Sequence, residues 1–135
     1  MRAQNETAER IADPTRKRLV PSHEDSLVVA RRVAAAADDL KANDILILDI
    51  RGSGYADYLV LASGTSDRHV SAIAESIETQ LKQSGHSAIG SEGLREGQWA
   101  LIDFCDVVAH VFHEYSRGLY AIEDLWKNAP RVSIT

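Results

Sequence analysis

The 135-residue chain has one cysteine, Cys105. A lone thiol excludes a disulfide framework within the chain and a four-cysteine zinc site, and it favours a reducing compartment. Long apolar runs are missing. The longest uninterrupted stretch of Ala, Val, Ile and Leu is Val33 to Ala37, far short of the roughly 20 residues a membrane-spanning helix needs. No membrane partner is expected. Basic excess is missing too: 15 Lys and Arg face 20 Asp and Glu, giving a net charge of −5. Proteins that grip nucleic acid mainly through phosphates are usually basic, so little direct nucleic-acid binding is expected. The N-terminus lacks the apolar centre of a secretory signal. It carries acids and has no serine before Ser22, which disfavours an organelle transit peptide. His23, His69, His86 and His113 are too scattered to suggest a metal site.

The charge that is present is unevenly placed. Residues 1–22 hold five basic and three acidic residues, a net +2, while the remainder holds ten and seventeen, a net −7. An acidic body suits a basic protein partner. The first segment also lacks a sustained apolar stripe and contains Pro14 and Pro21, so residues 1–22 read as a flexible tail. Residues 23–130 read as one domain and residues 131–135 as a short C-terminal tail.

Within the domain, periodicity sets the elements. Leu27, Val28, Arg31, Ala34, Ala35, Asp38 and Leu40 fit an amphipathic helix starting near Ser22 or Asp25 and ending near Ala42. Ile45–Ile50 and Tyr58–Ala62 have the length and apolarity of strands, separated by the Gly52-Ser53-Gly54 loop. Thr65 or Ser66 is a helix N-cap, Val70, Ile73, Ala74, Ile77 and Leu81 form the helix's apolar stripe, and Gly85 stops it. His86–Gly90 is a short strand. Gln98–Asp103 and Val107–Phe112 are two strands joined by a tight turn, and Ser116–Lys127 is a last helix with Tyr115, Leu119, Ile122 and Leu125 along one side. The fold class is α/β (α+β): a single domain with a mixed sheet of about five strands flanked by helices.

Four motifs could carry chemistry. Gly64-Thr65-Ser66-Asp67-Arg68-His69 lies between a strand and a helix, where backbone N–H groups can hold an anion, but without a Walker lysine or a fuller glycine pattern an ordinary capped helix explains it better. Gly52-Ser53 follows a strand, as in nucleotidyltransferases, but the two carboxylates that would hold divalent ions are missing: Asp57 is followed by Tyr58 and Leu59, and Asp49 and Arg51 do not supply the pair. Cys105 with His110 and Asp103 or Asp106 could form a thiol dyad only if thiol and base meet. A two-residue turn at Phe104 and Cys105 would pair Asp103 with Asp106, Leu101 with Val108 and Trp99 with His110, and a three-residue turn would shift this pairing. Cys105 would then sit one hairpin length from His110, a poor dyad, while those six side chains would share one face. Lastly, Arg117, Tyr120 and Asp124 share one side of the last helix, with Glu123 and Trp126 spaced three apart.

Several stretches together resemble the ribosomal silencing factor family, the Iojap-like proteins. They are Tyr55-Ala56-Asp57-Tyr58-Leu59-Val60-Leu61-Ala62-Ser63-Gly64-Thr65-Ser66, Arg68-His69-Val70, Glu92-Gly93, Trp99, Asp103, Asp106-Val107-Val108-Ala109-His110-Val111-Phe112, Arg117, Tyr120 and Glu123-Asp124-Leu125-Trp126. The resemblance implies a nucleotidyltransferase-like fold without the catalytic carboxylates. It implies a non-enzymatic, cytoplasmic bacterial repressor that needs no cofactor. Such a repressor binds the large ribosomal subunit at ribosomal protein L-fourteen, blocks joining of the small subunit and lowers translation under nutrient limitation. By position it assigns Trp99, Asp103, His110, Arg117, Tyr120, Glu123 and Trp126 to partner binding. Family members are often dimers, so a homodimer is a further expectation. The family commonly has glycine where Cys105 stands; a positive φ in that turn would cost a cysteine roughly 1 kcal/mol. The alternative is a nucleotide-binding or nucleotidyltransferase-type enzyme using Gly52-Ser53 and the helix start at Gly64–Arg68.

Overall fold

The computed structural model describes residues 24–93, 98–120 and 122–135, the side chains of 118–120 excepted. The expected tail, residues 1–22, lies outside the described residues. The elements are α1 (Ser26–Asp39), β1 (Asn43–Asp49), β2 (Tyr58–Gly64), α2 (Asp67–Gln83), β3 (Gly90–Glu92), β4 (Trp99–Asp103), β5 (Val107–His113), α3 (Glu114–Tyr120), α4 (Ile122–Leu125) and β6 (Arg131–Val132). The strands form one mixed sheet in the order β3-β4-β5-β2-β1-β6. Its central pair, β2 with β5, is parallel, and the other pairs are antiparallel.

α1 and α2 cover one sheet face. There Val29, Ala30, Val33, Ala34, Ala36 and Ala37 meet Ile73, Ala74, Ile77 and Leu81, above Ile47, Val60, Ala62, Ala100, Ile102, Ala109 and Val111. The α2 stripe is the one periodicity predicts. In α1 the buried side is rotated from the predicted one: Val28 is 41 % exposed, and Ala35 and Asp38 are exposed. The predicted stripe ran through Arg31 and Asp38, whereas the observed one contains no charge, and its alanines let the helix lie close to the sheet.

α2 is bounded by side-chain and backbone caps. The Ser66 hydroxyl accepts from the His69 N–H at 3.0 Å. At the other end Gly85 has φ +93; its N–H reaches the Lys82 carbonyl at 3.0 Å and the His86 N–H reaches that of Leu81 at 2.8 Å. This is a Schellman ending, and glycine is the residue that enters it without strain. It displaces the predicted His86–Gly90 strand to Gly90–Glu92. His86 instead turns its Nε2 to Glu24 at 2.7 Å.

The second sheet face holds a smaller cluster of Leu48, Ile50, Leu59, Leu61, Val108 and Phe112. Ile122, Trp126 and Ala129 lie over part of it. The predicted Ser116–Lys127 helix is present as two shorter ones, and Tyr115 and Leu125 are 82 % and 72 % exposed rather than buried along one side. β6, in the segment set apart as a C-terminal tail, pairs Val132 with Ile47 and Arg131 with Leu48.

Candidate functional site

Four of the seven sequence-assigned residues lie on the second face, and three of them, Trp99, Asp103 and His110, are positioned by the β4–β5 hairpin. Its register is Asp103 with Val108, Leu101 with His110 and Trp99 with Phe112. The expected pairs are therefore displaced by two residues, and Asp106 is in the turn rather than on the face. The cause is at the turn. The Phe104 N–H donates to the Val107 carbonyl at 2.9 Å, and the Asp106 N–H folds back to the Phe104 carbonyl at 3.1 Å. Cys105 between them has φ +80, a conformation glycine takes freely and an L side chain does not. The Asp103 carboxylate supports the turn by accepting the Cys105 N–H at 2.7 Å.

A shift of two residues preserves facing, because side chains alternate with period two. Trp99, Leu101 and Asp103 still share a face with Val108, His110 and Phe112. Trp99 and His110 meet diagonally: the indole N–H donates to His110 Nδ1 at 3.0 Å. Their rings stack at 5.8 Å, with Phe112 stacked on both. Burial lowers the His110 pKa to about 4, so the ring is neutral near pH 7. Its Nδ1 is the acceptor and its Nε2 carries the proton. His110 is 5 % exposed and lies stacked against Trp99.

Beyond Asp103 the face continues into a second aromatic pair. Tyr55, half exposed, stacks on Trp126 with centroids 6.2 Å apart. The Tyr55 hydroxyl pKa is raised by burial and by the nearby Asp103 carboxylate. Half-buried aromatics next to carboxylates, with Leu125 and Leu101 alongside, form an apolar surface with an acidic margin.

Arg117 and Glu123 face each other at 2.8 Å. Arg117 Nη1 also donates to the Asp44 carbonyl at 2.8 Å and to Ser63 Oγ at 2.7 Å. Tyr120 ends α3, and its side chain lies outside the described residues.

The two phosphate-type motifs are occupied by their own neighbours. Asp49, beside the Gly52-Ser53 loop, pairs with Arg51 at 2.7 Å, and Asp57 accepts from the Ser26 hydroxyl at 2.9 Å. At the helix start His69 Nδ1 takes the Thr65 N–H at 2.9 Å, and Ser66 serves the N–H groups of His69 and Val70. Cys105 remains at the hairpin tip, on a different part of the hairpin from His110.

Residues 23–135 match the family model described as "Ribosomal silencing factor during starvation". The chain belongs to the ribosomal silencing factor family. It is 45 % identical over 103 residues to ribosomal silencing factor RsfS of Bacillus subtilis, covering 76 % of this chain and 87 % of that one. It is 29 % identical over 111 residues to the chloroplastic protein Iojap of Arabidopsis thaliana, covering 82 % of this chain and 46 % of that one. A crystal structure of a Chromobacterium violaceum protein superposes with a TM-score of 0.75 at 35 % identity, covering 77 % of this chain and 88 % of that one.

In this silencing-factor domain, then, Trp99, Asp103, His110 and Trp126 share the second face, while Arg117 and Glu123 are joined to each other beside it. Sequence reasoning did not single out Tyr55, Leu125, Ser63 or Asp44 for the site. For Ser63 a signal existed: alternation through Leu59 and Leu61 puts it on this face. Leu125 was misassigned because a continuous helix would have buried it. Among the described residues no helix is long and apolar enough to cross a membrane.

Proposed function

We propose that this chain represses translation without catalysis, by binding the large ribosomal subunit at the basic ribosomal protein L-fourteen and occupying the space the small subunit needs. The observation that carries this reading is the second sheet face, where Trp99, Leu101 and Trp126 lie against one apolar cluster, Tyr55 stacks on Trp126, and Asp103 stands near Tyr55. Aromatic anchors with a charged margin suit a protein partner, and the net −7 of the chain after residue 22 suits a basic one. Steric exclusion requires only affinity and bulk. A standard interface buries about 800 Å² on each partner, well within the reach of a domain of this size. The non-catalytic part of the reading is supported by the engagement of Asp49 and Asp57 with their own neighbours.

The test is a subunit-joining assay on a sucrose gradient with purified large and small bacterial subunits. The protein is expected to travel with the large subunit and to reduce the joined-ribosome peak. A protein that stays at the top of the gradient with joining unaffected overturns the proposal. Specific heat with magnesium and a nucleoside triphosphate would then favour the Gly52-Ser53 enzyme reading. Light scattering across a dilution series separates subunit binding from self-pairing through the same face.

A further inference from the structure

Position assigns Arg117 to partner contact, yet its surroundings describe another task. Its side chain is only 11 % exposed. Its Nε and Nη1 donors go to three different elements: Nε to Glu123 Oε1 on α4 at 2.8 Å, Nη1 to the Asp44 carbonyl on β1 at 2.8 Å, and Nη1 to the fully buried Ser63 on β2 at 2.7 Å. A guanidinium withdrawn from water is stable only when its donors are met, and reaching a partner would break those bonds. The backbone is shaped to receive it. β1 carries an irregularity between Asn43 and Leu46, and Asp44 within it has φ +51. A bulge of this kind re-aims backbone groups, and the re-aimed Asp44 carbonyl is one of the acceptors.

α4 needs such an anchor. It spans only Ile122–Leu125, far too short to be stable on helix propensity. Its Ile122, with Trp126 and Ala129 after it, packs on the second-face cluster, while Glu123 reaches sideways to Arg117. The same short segment presents Leu125 outward and sets Trp126 against Tyr55.

Resting on the function proposed above, we infer that Arg117 is a positioning residue: through Glu123 it holds α4 so that Leu125, Trp126 and Tyr55 stand as one binding edge, and it does not itself touch the partner. Glu123, although its side chain is 40 % exposed, serves as an acceptor for Arg117 rather than as a charge presented to the ribosome.

The experiment joins a spectroscopic readout to a binding cycle in the full chain. The chain has two tryptophans, so in a Trp99→Phe background Trp126 is the only indole emitter, read with excitation beyond the tyrosine absorption. Arg117→Met and Glu123→Ala are expected to raise acrylamide quenching of Trp126 about twofold. Glu123→Gln keeps an acceptor oxygen and is expected to leave quenching unchanged. With Trp99 restored, Arg117→Met and Glu123→Ala are expected to weaken binding to purified large subunits at least tenfold, and Glu123→Gln less than threefold. In a Trp126→Ala background, Arg117→Met is expected to add less than twofold, since changes acting through one residue do not add. Binding lost with quenching unchanged, or losses that multiply across the cycle, would show direct contact by Arg117 and overturn the inference. A large loss in Glu123→Gln would do the same for Glu123. Should Arg117→Met fail to fold, the Glu123 pair decides the matter, because it spares the bonds to Asp44 and Ser63. If the unaltered chain does not bind large subunits, the proposed function fails, and quenching alone decides whether the clamp holds Trp126.

Discussion

Replacing His110 with Phe should flatten the acid limb of the stability curve. In the folded chain burial holds the His110 pKa at about 4, against 6.5 for an unperturbed imidazole. The folded value is the lower one, so between these pH values the unfolded chain binds more protons. Stability from the neutral ring is therefore complete above about pH 6.5 and is lost as pH falls toward 4. The whole interval is worth about 3 kcal/mol, and the step from pH 7 to pH 5 about 2 kcal/mol. That step lowers the melting temperature by roughly 8 °C for a domain of this size. Glu24, held at about 2 by Arg32 and His86, gives up its contribution only below about pH 4.5, outside the step from pH 7 to pH 5. In His110→Phe the Trp99 N–H loses its acceptor, a cost of about 1 kcal/mol that is constant with pH, while stacking on Trp99 and Phe112 persists. Urea unfolding followed by circular dichroism at pH 7, 6 and 5 measures both curves. The wild type is expected to lose about 2 kcal/mol more than the variant over this range. Parallel curves would refute the reasoning, because they would mean that His110 is protonated in the folded chain as readily as in the unfolded one.

Four further outcomes are expected. Cys105→Gly should raise stability by up to about 1 kcal/mol in thermal unfolding, since relief of the positive φ exceeds the added freedom of the unfolded chain. Gly93→Ala should cost at least about 2 kcal/mol, because Gly93 has φ +77 and a methyl there would overlap the Trp99 carbonyl oxygen. Ser66→Ala should cost about 1 kcal/mol by removing the cap on the His69 N–H, read from the urea midpoint at constant slope. Trp99→Ala and Leu125→Ala, both folded by circular dichroism, should weaken binding to purified large subunits, Trp99→Ala by about 2 kcal/mol if it anchors the centre of the face; wild-type sedimentation in both would remove this face from the interface.

Where one side of an element is apolar and the other charged, the sequence already spoke for the structure. The stripe Val70, Ile73, Ala74, Ile77 and Leu81 buries as periodicity predicts, and Ser66 and Gly85 bound that helix by chemistry visible in the residues themselves. Ambiguity arose where small residues surround the axis. In α1 the alanines permit either rotation, and only packing against the sheet chooses Val29, Ala30 and Val33 over Val28 and Ala35. The hairpin shows a different limit. Facing survived a register error because the error was an even number of residues, so Trp99, His110 and Asp103 were grouped correctly while their partners were not. The glycine that the family commonly has at Cys105 pointed to the positive φ found there, but the length of the turn has no signature in a cysteine, whose side chain disfavours that conformation. The Arg117 bonds depend on a bulge at Asp44 and on β2 lying beside β1, and neither has a local signature.

The outer margin of β1 is covered by very little. Arg131 and Val132 pair with Leu48 and Ile47, Pro130 gives its carbonyl to the Asp49 N–H at 2.8 Å, and Ser133 gives its carbonyl to Arg31 at 3.1 Å. Beneath lies the run Ile45-Leu46-Ile47-Leu48, rich in the residues that favour cross-strand growth. With residues 130–133 peeled back, that run would offer open donors and acceptors to any extended chain, including another copy of itself. Residues 130–133 thus shield this edge, and removing them is expected to promote self-association at the margin of the sheet farthest from Trp99.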